Sequence, residues 1–483
     1  MKLKFANRMS YIKASEIREI LKVTEQEDVI SFAGGLPAPE LFPIDEINQM
    51  TQIVLKEAGT KALQYTTTEG YSPLRDWVAK RMNERLGTSF DKDNILITHG
   101  SQQGLDLSGK VFLDDGDIVL CESPTYLAAI SAFKSYGCNF VEIPTDEEGM
   151  NMTVLEDVLN NTPKVKLIYV IPTFQNPTGK TWSLERRKKL AELSARYDIP
   201  VIEDNPYGEL RFEGESLPSI KSFDKVGNIL CAGSFSKIFC PGFRIGWIAG
   251  DKDIIRKYVL VKQGTDLQCN TIAQMTIAEY LKRYDIDKHI GKIVEVYRKR
   301  RDIAMECIER YFPDNIRYTY PQGGLFTWIE LPEEISAREV LKKCIERKIA
   351  FVPGDIFFGN SRPKPCKAFD KEGIVLWCGA VSKTLAPGYR VGWIAPGRFK
   401  EAIIRRKNIH LISTPTLNQE AVANFMENDR YENHLRKLRR ELYANSIHFA
   451  HSIMDHFPEN TKIVTPQGGF MLWVELDKRI DTT

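Results

Sequence analysis

The 483-residue chain has almost no net charge: 66 lysines and arginines stand against 64 aspartates and glutamates, leaving +2. So close a balance removes the broad basic field by which proteins gather nucleic acid or anionic membranes, and it points to small solutes as partners. Nowhere do about 18 apolar residues run uninterrupted, the length a helix needs to cross a bilayer, and Met1–Ser10 lacks the apolar stretch of a secretory leader. A soluble, cytoplasmic protein without nucleic-acid or membrane partners is expected. The nine cysteines include no CxxC pair and no Cys/His ligand spacing, so they write neither a disulfide frame nor a zinc site. They read as reduced, buried small hydrophobes, and no metal is expected. No GxGxxG or GxxxxGKS/T follows a strand-like run, which argues against a nucleotide site.

What is present is an alternation. Short β-rich runs at Ile95–Thr98, Ile118–Cys121, Val165–Ile171, Val201–Glu203 and Ile229–Ala232 are separated by longer amphipathic stretches. That pattern predicts βα units around a mostly parallel sheet, an α/β fold whose ligands sit at the C-terminal ends of the strands. Chemically active residue types do follow those runs: Gly100–Gln103, Ser123–Tyr126, Asn176–Gly179, Asp204–Tyr207 and Ser234–Lys237. After Ile254 the pattern turns helical, with a long helix expected over Lys292–Tyr311. Pro321–Pro332, PQGGLFTWIELP, reads as a turn and an alternating strand in a smaller α+β domain.

The chain also repeats itself. Leu230–Gly250, LCAGSFSKIFCPGFRIGWIAG, returns as Leu376–Pro396, LWCGAVSKTLAPGYRVGWIAP, about half identical without a gap. Phe223-Asp224-Lys225 returns as Phe369-Asp370-Lys371, and Pro321–Gly324 as Pro466–Gly469. Residues 356–483 thus read as a partial second copy of 215–335.

Five loops carry the chemistry. Lys237, in Ser234-Phe235-Ser236-Lys237, lies at a strand end, where burial and neighbouring positive charge would keep its amine neutral enough to form an imine with an aldehyde cofactor. Ser234, Ser236 and Arg244, seven residues beyond the lysine, suit a phosphate monoester. Gly100-Ser101-Gln102 opens a helix whose N–H groups would face an anion, although such a loop alone is more often a simple cap. Pro172–Gly179, PTFQNPTG, is a stiff turn able to hold the Asn176 amide against a fixed acceptor such as a phenolic oxygen. Asp204 places a carboxylate at the end of an apolar strand and needs a cation, for which a protonated pyridine nitrogen would serve. Tyr126 is a stacking or hydrogen-bonding aromatic, or equally a core residue.

In this order, these motifs resemble the fold-type I enzymes that use pyridoxal 5'-phosphate (PLP), specifically class I/II aminotransferases of the 2-aminoadipate and kynurenine kind. The resemblance covers residues 1–355 and includes Ser31–Pro37, SFAGGLP, and Leu63-Gln64-Tyr65. It implies a seven-stranded-type sheet, PLP joined to Lys237 as catalytic base, and Asp204 on the pyridine nitrogen. Asn176 and Tyr207 would bond the ring's 3-oxygen, and Tyr126 would stack on the ring. Ser101, Gln102, Ser234 and Arg244 would take the phosphate, with Tyr65 reaching it from the other subunit of a homodimer. Gly34, Gly35 and Asn176 would meet the substrate. The implied reaction moves an amino group from an L-amino acid to a 2-oxo acid, 2-oxoglutarate by expectation, in a ping-pong sequence. The implied division is an arm and closing segment over 1–45, a large domain over 46–285, an incomplete small domain over 286–355, and the partial copy.

The chain departs from the family pattern after Phe351-Val352-Pro353-Gly354, where a strand bearing a substrate-carboxylate arginine should follow. Arg362 is near in sequence but in another context. The second copy keeps Lys383 and Arg390, replaces the first serine by Ala380, and brings no second NPTG or DxPY. Lys383 therefore reads as vestigial, and a PLP-binding but inactive or regulatory fusion is the alternative expectation.

Overall fold

The five β-rich runs become strands because each is apolar on both faces, the requirement of a parallel sheet covered on two sides. In the computed structural model, which describes residues 28–332, 335–358, 370, 372–386, 391–410, 416–427, 430–458, 461–464, 469 and 471–476, they join three further strands in one sheet. Its order is Ile95–Thr98, Gly246–Ala249, Ile229–Ser234, Val201–Asp204, Val165–Val170, Ile118–Ser123, Asn139–Asp146 and Gly149–Met150. The five strands from Ile229–Ser234 to Asn139–Asp146 are mutually parallel. Gly246–Ala249 runs antiparallel to both its neighbours, so Ile95–Thr98 points the same way as the parallel set. The C-terminal ends of six strands therefore share one edge of the sheet, and Gly246–Ala249 starts from that edge.

Strand alternation sends successive side chains to opposite faces. Leu96, Cys121, Tyr169, Ile202, Leu230 and Ile248 pack on one side under helices Gly100–Phe112, Leu127–Lys134 and Lys252–Gln263. On the other side Leu120, Ile168, Val201 and Ile229 pack with residues of helices Met152–Asn161 and Leu184–Tyr197. Ile95, Ile97, Cys231 and Ala249 pack there with Ile44–Ala62, Ser72–Leu86, Thr271–Arg283 and Ile286–Tyr311. Helix starts are marked by side chains that accept from free N–H groups: Asn151, Ser183, Asp251, Asn270 and Asp285.

Three expectations need correction. The sheet has eight strands, because the chain returns at Gly149–Met150 to pair antiparallel with Asn139–Asp146. The strand expected after PQGG is only Ile329–Glu330, paired with Arg317–Tyr318. Trp328 still accepts from Thr319 N–H at 2.9 Å, but Leu325 and Phe326 lie against Gly35 rather than in the ladder. The long helix starts earlier, at Ile286, where Asp285 caps it.

Ile30–Ser31 pairs parallel with Ile349–Ala350, bringing the N-terminal segment to the first unit. No helix among the described residues is long and apolar enough to cross a membrane.

The described residues from 370 onward form a second unit. In it Trp377–Ala380 and Gly392–Ala395 form an antiparallel hairpin. Trp377 faces Ala395 and Ala380 faces Gly392, the register in which Cys231 faces Ala249 and Ser234 faces Gly246. A Cβ on Gly379 would lie 2.4 Å from the Trp393 ring, as one on Gly233 would lie 2.3 Å from Trp247. In the first unit that hairpin is flanked by strands on both sides; in the second, Trp377 and Trp393 are 48% and 44% exposed. Helices Lys400–His410, Thr416–Glu427 and Arg430–His456 and the pair Lys462–Val464 with Trp473–Glu475 complete the unit.

Candidate active site

The shared strand edge collects most of the residues singled out from sequence. Lys237 follows Ile229–Ser234, and its Nζ donates to the Gly35 carbonyl at 2.5 Å while standing 6.0 Å from the centre of the Tyr207 ring. Burial, helped by the Arg244 guanidinium, pushes the Lys237 ammonium down to about 8. A neutral amine is thus accessible near neutrality, as an imine-forming lysine requires. Gly35 is brought there by the Ile30–Ser31 pairing, and a Cβ on it would lie 2.7 Å from the Phe326 ring.

Asp204 ends its strand fully buried. Its Oδ2 accepts from the Tyr169 hydroxyl at 3.0 Å, while Oδ1 has no partner. Burial raises its pKa to about 7 in spite of the Tyr169 bond. A buried carboxylate with one unsatisfied oxygen is a socket for a cationic donor. Asn176 donates to the Tyr207 hydroxyl at 3.3 Å and leaves its own Oδ1 unpartnered. Burial and the charge of Asp204 together push the Tyr126 hydroxyl up to about 12.

A second set of groups faces an anion. Ser234 Oγ donates to Ser236 Oγ at 2.8 Å, and Arg244 lies 3.5 Å from Ser236 Oγ and 3.4 Å from the His99 carbonyl. Arg244 holds a left-handed backbone, φ +54. Gly100, at the start of its helix with φ +70, admits this approach only for want of a side chain: a Cβ there would lie 2.6 Å from the Arg244 guanidinium. Helix N–H groups and a guanidinium thus converge on one spot. Ser101 and Gln102 lie in the first turn, where the Gln102 amide already donates to the Ala128 carbonyl at 3.1 Å.

These features fit PLP: a cationic ring nitrogen for the unsatisfied Asp204, a phenolic oxygen beside Asn176 and Tyr207, a phosphate at Gly100, Ser236 and Arg244, and an aldehyde for Lys237. Tyr65 stands apart, 78% exposed. Gly34, with φ +75, precedes Gly35 in the covering segment. Arg362, Arg390 and Pro466–Gly468 lie outside the described residues.

The site also rests on residues that the sequence reading passed over. Glu122 is buried, accepting from Ile171 N–H and Trp182 Nε1 at 2.8 Å each. Burial holds its pKa up at about 7. Gln175 donates to the Pro124 carbonyl and accepts from Thr178 N–H and Oγ, which fixes the turn carrying Asn176. Phe326 packs edge-on to Tyr207 at 5.5 Å. A Glu or Tyr inside an otherwise apolar run is the one signal in the sequence that could have found Glu122 and Tyr169.

His99, Asp266 and Cys269 lie close enough together to hold a metal. The fully buried Lys262 ammonium, however, already bonds both Asp266 oxygens, at 2.6 and 2.8 Å, and supplies the positive charge there.

A family model described as aminotransferase class I and II matches residues 28–359 and again 354–482. The chain is 49% identical over 360 residues to aromatic-amino-acid aminotransferase 1 of Thermococcus litoralis, covering 74% of this chain and 86% of that one. It is similar to the crystal structure of a multiple substrate aminotransferase from Thermococcus profundus, at 46% identity and TM-score 0.70, over 74% of this chain and 89% of that one. It is also similar to an alpha-aminoadipate aminotransferase from Thermus thermophilus solved with N-(5'-phosphopyridoxyl)-L-leucine, at 40% identity and TM-score 0.68, over 74% and 89% of the two chains.

Proposed function

The chain belongs to the class I and II aminotransferases and is a PLP-dependent transaminase; from that premise we propose that Lys237 is its catalytic base and that it transfers amino groups to 2-oxoglutarate in a ping-pong sequence. When bound, PLP supplies the electron sink that lets the Cα–H bond of an amino acid ionise. The side chains supply place and proton transfer. Asp204, with its free oxygen, holds the ring nitrogen and keeps it protonated. Asn176 and Tyr207 orient the ring through its 3-oxygen, Tyr126 bounds one face, and Ser101, Gln102, Ser234, Ser236, Arg244 and the Gly100 helix start anchor the phosphate. Lys237 Nζ, in its neutral form, takes the proton from Cα and returns it on the other side of the reaction. Gly34 and Gly35, closing with Phe326 over Lys237, exclude water from the substrate.

The observation that carries this reading is the pairing of a buried lysine, held down to about 8, with a buried carboxylate that lacks a partner on one oxygen. A ping-pong order is supported by the single lysine serving both half-reactions. A cytoplasmic homodimer is supported by the free cysteines among the described residues and by the exposure of Leu63 and Tyr65. Aromatic amino acids and 2-aminoadipate are the donors suggested by the relatives' substrates. The test is to offer these donors with 2-oxoglutarate and follow glutamate. Parallel-line kinetics with glutamate formed support the reading, and intersecting lines or no glutamate overturn it.

A further inference from the structure

A buried tyrosine has to find an acceptor for its hydroxyl, and the one Tyr169 finds is set by strand register. Tyr169 faces Ile202 across the parallel pair, and Asp204, two residues further along, lies on the same face. The ring, packed edge-on against Phe133 at 5.8 Å, spans that repeat so that its hydroxyl meets Asp204 Oδ2 at 3.0 Å. One carboxylate oxygen is thereby fixed and the other left as the acceptor still to be filled. The charge of Asp204 also acts on the hydroxyls of Tyr126 and Tyr207, and all three tyrosines resist ionisation.

We propose that Tyr169 is a positioning residue for the cofactor: its hydroxyl orients Asp204 and holds it ionised, leaving the full negative charge to the ring nitrogen. This rests on the proposed pairing of Asp204 with that nitrogen. The chemistry favours a phenol in this place. A lysine or arginine would orient the carboxylate equally well but would cancel the charge that keeps the ring nitrogen protonated, whereas a neutral donor stabilises the anion without neutralising it. The phenol is also too weak an acid, buried as it is, to surrender its proton to Asp204.

The experiment measures PLP affinity of the ligand-free chain by absorbance from pH 6 to 9, for the natural sequence, Tyr169→Phe, Asp204→Asn, the double variant and Phe133→Leu. Tyr169→Phe is expected to weaken binding about tenfold at neutral pH, and more at pH 6 than at pH 9, because the carboxylate that loses its donor takes up a proton more readily. Asp204→Asn weakens binding further, the double variant matches Asp204→Asn alone, and Phe133→Leu, which keeps the hydroxyl, leaves the pH dependence unchanged. Unchanged affinity in Asp204→Asn would remove the underlying reading and the inference with it. A loss in Asp204→Asn with none in Tyr169→Phe, fully additive losses, or a matching pH shift in Phe133→Leu would overturn the inference alone and make Tyr169 a packing residue. Should Tyr169→Phe not fold, folding of the double variant supports the coupling, and failure of both overturns it.

Discussion

Replacing Asp204 by asparagine should stabilise the ligand-free enzyme while weakening its hold on PLP, and the gain should depend on pH. In the unfolded chain the Asp204 carboxyl ionises near 3.8, but the fold holds its proton to about 7. The folded state thus binds more protons between those values, so stability is fully present below about 4, falls as pH rises, and levels off above about 7. By linkage the cost of the buried carboxylate is on the order of 2 kcal/mol at pH 5 and 4 kcal/mol at pH 8. Asparagine keeps an acceptor for the Tyr169 hydroxyl and carries no charge, so it recovers most of that cost. For a unit of this size the unfolding midpoint should rise by about 6 °C at pH 8 and about 2 °C at pH 5. Glu122, also held up at about 7, titrates in the same window but is common to both proteins and cancels in the comparison. Thermal unfolding of both proteins without cofactor, followed by circular dichroism at the two pH values, is the assay. PLP affinity of the variant should fall about a hundredfold. A midpoint that drops at pH 8, or a rise equal at both pH values, would refute the reasoning.

The association rate of PLP with the ligand-free chain should climb through pH about 8 and flatten above it, because the neutral Lys237 amine is the attacking form; stopped-flow absorbance checks this. Gly100→Ala adds a methyl 2.6 Å from the Arg244 guanidinium at a backbone angle unsuited to alanine. It should weaken PLP at least about tenfold and pyridoxal, which lacks the phosphate, far less, as equilibrium titration of both would show. Glu122→Gln turns an acceptor of two N–H donors into a group that is itself half donor, so it should destabilise by about 1–3 kcal/mol and lower activity by loosening the Asn176 turn; denaturant unfolding and initial rates measure both.

The parts legible in the sequence were those in which one residue type answers one physical need. Lys237 and Asn176 follow apolar strands and Asp204 ends one, so alternation placed all three at the strand edge, while their expected roles came from the motifs and the resemblance. Gly246–Ala249 reads as part of the lysine motif, yet it runs antiparallel between two strands of the parallel set, and strand direction leaves no mark on composition. Asn139–Asp146 escaped notice because Glu142 and Pro144 interrupt its apolar pattern at the sheet's margin. Tyr169 and Glu122 were hidden for a different reason: a strand register that only the fold defines brings each to its partner. The recurrence of the lysine hairpin was plain in the letters. That its two strands keep the same register while Trp377 and Trp393 stay half exposed required coordinates, because the flanking strands that cover the first hairpin come from distant parts of the chain.

The most direct test of the central claim is the absorbance spectrum of the PLP-loaded chain before and after an amino acid is added without any oxo acid. The visible band of lysine-bound cofactor should appear, give way to that of the pyridoxamine form on adding donor, vanish in Lys237→Ala and persist in Lys383→Ala. A band absent from the natural sequence, or one lost in Lys383→Ala and kept in Lys237→Ala, would contradict the account.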